Sequence, residues 1–220
     1  MADQILKSTS DKIWVNSAGK VMKAKKFNES VLQVGLSFWG AADPAYLTII
    51  DGLVSEAYDI RGTGQKMVQN TVTRRPKLIL NELLFSRSND SLYMNSQSAR
   101  SVFIIMKIPV GGQTVHGIRG SSMDLGTTTS QYGYGQYPTY TYNYYFNNIE
   151  KTVLTSNPFT YVILHSKYDF NTINSLITIG DFYGYQLNCY IKEWGWYNRI
   201  LTDIEINYNI NALNAKYQIF

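Results

Sequence analysis

Cysteine, histidine and charge are all scarce in this chain. Its 220 residues contain one cysteine, Cys189, and two histidines, His116 and His165. One cysteine excludes an intrachain disulfide framework. Cys189 lies in the apolar stretch 187–191 and reads as a small buried hydrophobe. Two histidines and one cysteine do not make a zinc set. Charged residues are only 16% of the chain, against 45% hydrophobic, so a sizeable core is affordable and a highly charged disordered chain is excluded. No apolar run approaches the roughly 20 residues that cross a bilayer as a helix. The polar stretch 2–12 does not read as a secretory signal, so a cytoplasmic site of synthesis is expected.

Catalytic patterns are equally thin. Glycosidases of the two-carboxylate kind hold their acids about 5–5.5 Å apart when they retain configuration. The six glutamates, 29, 56, 82, 150, 193 and 205, are scattered, and Glu56 with Asp59 does not share a strand face. His165 ends an apolar run and reads as structural, while His116 sits in the glycine-rich 111–120 stretch, which lacks the Gly-Lys-Ser/Thr of a phosphate loop. A protein that binds or packs, rather than an enzyme, is expected.

What the chain does have is tyrosine: 18, against 9 phenylalanines. Short apolar runs recur between Gly, Asn, Asp and Ser. Strands are expected over 31–38, 102–108, 161–164, 176–179, 186–191 and 193–197, with 102–108 central. One helix stands out. Thr202 and Glu205 form a capping box, and Ile206, Ile210, Leu213 and Tyr217 line one face. These features predict an all-β, two-sheet antiparallel sandwich with one short C-terminal helix.

Residues 1–30 read as a basic N-terminal arm, ahead of a domain over 31–220. Six of the chain's 20 basic residues (Lys7, Lys12, Lys20, Lys23, Lys25, Lys26) but only two of its 16 acidic ones lie in 1–26, so the rest is neutral. The segment 12–21 suggests a hairpin that exposes Trp14. A solvated tail and an anchor on an acidic protein surface or a lipid both fit. Nucleic acid fits least, because no basic stripe continues the track.

The segment 131–146 holds seven tyrosines, and no charge falls between Asp124 and Glu150. Gly133, Gly135 and Pro138 predict a loop in its first half, and Tyr140, Tyr142 and Tyr144 alternate as in a strand. Tyrosine offers rigid apolar area and a hydroxyl at low entropic cost. Tyr132, Tyr134, Tyr137, Tyr140 and Tyr142 are therefore the candidate binding residues. Partner protein, glycan and the chain's own domain are three open destinations for them.

The run Gly180-Asp181-Phe182, then Tyr190-Ile191-Lys192-Glu193, Trp196 to Asp203 and Lys216-Tyr217, resembles the closing strand and helix of laminin-G-like, concanavalin-A-like jelly rolls. Trp39 to Pro44, Gly52 to Ser55, Asp59, Gly62, Gly64 and Arg74-Arg75-Pro76 are similar to their opening segment. Ala57 stands where those domains usually carry a tryptophan, and Ala41 where an acidic residue is common. The resemblance implies a jelly roll without catalysis and no obligatory cofactor, with calcium as an option through Asp59, Asp124 or Asp181. Domains of this kind in Asn- and Tyr-rich chains lacking an export signal resemble those of bacteriophage virion proteins. The expectation is an accessory capsid or tail protein, located in the virion, with viral structural proteins as partners and no membrane contact. A lectin-like module for bacterial or dietary polysaccharide, with a cell-surface glycan as partner, is the alternative.

Overall fold

The structure, a computed structural model, describes residues 5–7, 12–15, 21–23, 31–86, 90–107, 115–119, 124–128, 131–134, 144–147, 149–151, 154–155, 161–166, 172–180 and 189–220. The first three strands, β1 (Ile5–Lys7), β2 (Lys12–Val15) and β3 (Val21–Lys23), pair antiparallel in a small sheet of their own. The predicted hairpin is β2–β3. β1 adds a third strand, in which Ile5 faces Trp14.

Among the described residues, seventeen further strands form one continuous antiparallel ladder. They are β4 (Leu36–Ala41), β5 (Leu47–Ile50), β6 (Leu53–Tyr58), β7 (Lys66–Val68), β8 (Lys77–Ile79), β9 (Glu82–Phe85), β10 (Ser91–Ala99) and β11 (Ser101–Lys107). Then follow β12 (Val115–Arg119), β13 (Asp124–Thr128), β14 (Gln131–Tyr134), β15 (Tyr144–Phe146), β16 (Ile149–Lys151) and β17 (Leu154–Thr155). The last three are β18 (Tyr161–Ser166), β19 (Thr172–Gly180) and β20 (Cys189–Tyr197), and the chain closes with helix α1 (Asp203–Tyr217).

The ladder folds into two layers. Layer one runs β5-β6-β7-β10-β19-β12-β13-β14-β17, and layer two runs β4-β20-β11-β18-β15-β16. The hairpin β8–β9 joins them at one corner, since β8 bonds to β6 and β9 to β20. Between the layers lies the main core. Phe38 stacks on Trp196 at 4.6 Å, Trp194 donates its indole N–H to the Met67 sulfur, and Val102, Ile104 and Leu164 fill the centre. Gly40 is opposite Trp194, and a Cβ there would meet the indole at 2.3 Å, so only glycine lets the ring lie flat on the neighbouring strand.

Layer two is buried on both faces. Along β11, Val102, Ile104 and Met106 face the main core, while Phe103 and Ile105 face a second core under α1. That is why 101–106 reads as an unbroken buried run rather than an alternation. Thr202 and Glu205 make the predicted capping box, and Ile206, Ile210 and Leu213 are buried. The helix thus covers a sheet face rather than an edge. Asn209, fully buried, accepts from the Leu32 N–H at 2.7 Å and donates to the Tyr197 hydroxyl at 3.0 Å, tying the entry of the body to the helix.

Three strand expectations need correction. The strand expected over 31–38 starts only at Leu36, because residues 31–35 form a bend and a turn, with Gly35 at positive φ. Residues 186–191 and 193–197 do not form separate strands. A single β20 runs through, with Lys192 as the extra residue between the pairs Ile105–Glu193 and Met106–Ile191. A bulge of this kind bends a strand and re-aims side chains. Residues 131–134 are not a loop: Gly133 pairs with Gly126 inside the β13–β14 ladder, where cross-strand pairing overrides the weak strand preference of glycine.

Candidate functional site

Helix α1 ends before layer two does. Past its last turn the outer face of the sheet continues as one register row across four strands: Tyr161 on β18, Lys107 on β11, Tyr190 on β20 and Leu84 on β9. Side chains directly opposite in antiparallel strands share a face. Lys107 therefore stands between two tyrosines, its ammonium 4.5 Å from the Tyr161 ring centre and 4.6 Å from that of Tyr190. Lys192 joins them from β20, two residues beyond Tyr190, with its ammonium 4.1 Å from the Tyr161 ring. These are cation–π distances.

Glu82, on β9, lies between the two lysines. One carboxylate oxygen is 3.7 Å from Lys107 Nζ and the other is 3.5 Å from Lys192 Nζ. The lysine side chains remain 22% and 26% exposed. Burial, and after it the Glu82 carboxylate, pushes the Tyr161 hydroxyl well above the ordinary tyrosine pKa, so it stays a neutral phenol. The result is a half-buried face of two aromatic rings and two ammonium groups around one carboxylate.

The bulge at Lys192 sets the inner boundary. It puts Glu193 on the same outer face, where its fully buried carboxylate accepts the Trp39 indole N–H at 2.7 Å and bonds with the Lys216 ammonium and the Tyr217 hydroxyl. Burial, then the Glu193 charge, raises the Tyr217 pKa far above its usual value. Here every charge is answered within the protein. Glu56 is similarly occupied, by Thr48, Tyr58 and Lys66.

The residues singled out from sequence fall differently. Tyr132 and Tyr134 belong to β14, between β13 and β17, while Tyr137, Tyr140 and Tyr142 lie outside the described residues. Tyr145, of the same segment, packs into the second core. Lys7, Lys12, Trp14 and Lys23 sit on β1 to β3, and Lys20, Lys25 and Lys26 lie outside the described residues. Of the calcium candidates, Asp59 is already engaged. Its carboxylate holds Arg61 and the Thr63 hydroxyl. Asp124 starts β13 and Asp181 lies outside the described residues. Among the described residues no group of three metal-ligating side chains forms. His165 is buried against the Ser166 carbonyl and Asn209, and burial pushes it down to about 4, so it is neutral. Sequence reading missed Tyr161, Tyr190, Lys107, Lys192 and Glu82, which meet only through strand register. The one local cue was the alternation Tyr190-x-Lys192.

No protein-family model matches the chain, and no curated protein matches it in sequence. Solved structures do match in fold. A Trypanosoma rangeli sialidase is similar with a TM-score of 0.52 at 10% identity, over 84% of this chain and 34% of the sialidase. The T. rangeli sialidase in complex with 2,3-difluorosialic acid, described as a covalent intermediate, gives a TM-score of 0.56 at 9% identity, over 97% of this chain and 44% of that one. The chain thus spans less than half the length of the sialidases it matches, and at such identity the likeness speaks for the fold alone.

These neighbours overturn two expectations. The matched structures are sialidases, proteins that process glycans, and not virion components, so the accessory capsid or tail assignment is withdrawn, with the virion location and viral partners that followed from it. The exclusion of enzymes is withdrawn as well. It rested on the missing carboxylate pair, and sialidases, which use a tyrosine nucleophile, do not obey that rule.

Proposed function

We propose that this chain is a carbohydrate-binding sandwich, a lectin-like module of the laminin-G-like, concanavalin-A-like kind, which engages glycan on the open end of layer two. One observation carries the reading: Tyr161, Lys107 and Tyr190 stand in a single register row beside Lys192, all partly exposed, at the margin of the second core beyond the last turn of α1. Sugar rings pack on tyrosine faces, and their hydroxyls accept from ammonium groups and phenols. A sandwich shared with sialidases supports carbohydrate as the ligand class. The tyrosines of 131–146 remain a second candidate surface of the same chemistry.

The test is a glycan array probed with the full chain, with calcium and with chelator, and with Tyr190→Ala in parallel. Saturable binding lost in Tyr190→Ala is expected. Binding that survives Tyr190→Ala but disappears in Tyr137→Ala or Tyr140→Ala would move the site to the tyrosine segment. No saturable binding to any glycan would end the reading, and chelator sensitivity would assign a metal to the site. A fluorogenic sialoside in the same samples reads hydrolysis directly.

A further inference from the structure

The two lysines of the open face are under-used. An ammonium group carries three N–H donors. Lys107 and Lys192 make no hydrogen bond to any described residue; their partners are tyrosine rings and a carboxylate at 3.7 and 3.5 Å. Glu82 divides its two oxygens between them and cancels one positive charge of the two. The nearby Lys216 is already matched by Glu193. Among the described residues, one unit of positive charge, together with the unused donors, is left over on a partly desolvated aromatic platform. There a charge–charge contact is stronger than on open surface.

We infer that this face selects sugars bearing an anionic group, a carboxylate or a sulfate, and that Glu82 acts as a resident competitor that sets how tightly the anion is held. The inference rests on the carbohydrate-binding reading and deepens it. The sugar ring packs beside Tyr190 and Tyr161, and its anion takes donors from Lys107 and Lys192 against the pull of Glu82. Glu82 therefore lowers affinity for anionic sugars and leaves neutral ones nearly unaffected, a gain in discrimination obtained by repulsion.

The experiment measures binding of the full chain to polygalacturonate, dextran sulfate and neutral dextran, at low salt and at about 0.15 M salt, where the screening length is about 8 Å. Both anionic polymers, or one of them, should bind more tightly than dextran and weaken with salt. Binding of dextran sulfate alone would assign sulfate as the anion, and of polygalacturonate alone, carboxylate. Glu82→Gln should tighten anionic binding by about fivefold at low salt, and Lys192→Gln should weaken it by a similar factor. The opposite signs protect the test, since misfolding weakens binding but does not tighten it. The lysines of residues 1–30 are present in every variant, so nonspecific attraction to them cancels. Equal binding of dextran, or an unchanged or weaker Glu82→Gln, overturns the inference and leaves the carbohydrate reading standing. Absence of binding to all three polymers and to every arrayed glycan overturns both.

Discussion

The outer face of layer two is two surfaces built on the same three strands. Under α1, Phe103, Ile105 and Ile163 pack against Ile206, Ile210 and Leu213, and each charge at the margin has a close partner: Glu193 alone engages Trp39, Lys216 and Tyr217. One register step along the same strands, Lys107 and Lys192, set against the rings of Tyr161 and Tyr190, carry charge that the described residues answer only in part, through a single shared carboxylate. Satisfied buried networks hold a fold rigid. Half-answered charge on a partly exposed platform does little for the fold and leaves binding capacity. The covered half therefore carries stability, and the open half carries the ligand.

The sharpest way to break that contrast is to hollow the covered half. Ile210 is fully buried, so Ile210→Ala should lower stability by about 3 kcal/mol through lost transfer energy and a cavity. The urea midpoint reads this, and glycan affinity per folded molecule should not change. Acid should act on the same half through His165. The ordinary value of 6.5 holds in the unfolded chain, and the folded value is about 4 because burial disfavours the imidazolium. Between those values the unfolded state binds the extra proton. Stability is therefore full above pH 6.5, falls as pH drops toward 4, and loses about 3 kcal/mol in all. A flat urea midpoint between pH 7 and about 4 would show that His165 titrates normally. Glu205 belongs to a lower window. Its bond to Arg199 and the Thr202 N–H hold it down at about 2, so its contribution persists to pH 4.5 and is lost between there and 2.

Intermediate effects come from the boundary. Glu193→Gln keeps the shape but removes the buried charge that holds Lys216 and Tyr217. A loss of about 2 kcal/mol is expected, less than for a fully buried pair because Lys216 is 28% exposed. Thr202→Ala removes the cap of α1 and should cost about 1 kcal/mol. Hydrogen exchange, fastest in the first turn of α1, distinguishes this loss from a global one.

Much of the covered half was legible in the sequence. The capping box, the spacing of Ile206, Ile210 and Leu213, and the run 102–106 follow from local periodicity, which a single chain displays directly. The resemblance carried by Trp39, Trp196 and Lys216-Tyr217 also fell on packing residues, Trp196 in the main core and Trp39 and Tyr217 in or beside the second. The open half was not legible. Tyr161 and Lys107 are far apart in sequence, and they meet through a register that only the assembled sheet fixes. The bulge at Lys192 had no local signal either, because Lys192-Glu193 reads equally well as a break between two strands. The tyrosines of 131–146 stand out instead, a compositional signal that marks binding chemistry without saying which tyrosines share a surface.

The smallest expected effect is the most telling for the comparison. Lys192→Gln removes a charge whose nearest carboxylate oxygen among the described residues is 3.5 Å away and which makes no hydrogen bond to a described residue. A partly exposed pair at this distance, without a hydrogen bond, contributes about 0.5 kcal/mol or less, and the lysine stem over Tyr161 is largely kept by glutamine. The urea midpoint should move by no more than its experimental error. If Lys192→Gln instead cost as much as Glu193→Gln, the lysines and tyrosines past the end of α1 would be a continuation of the same structural lock. The open face would then have no capacity to spare for a sugar.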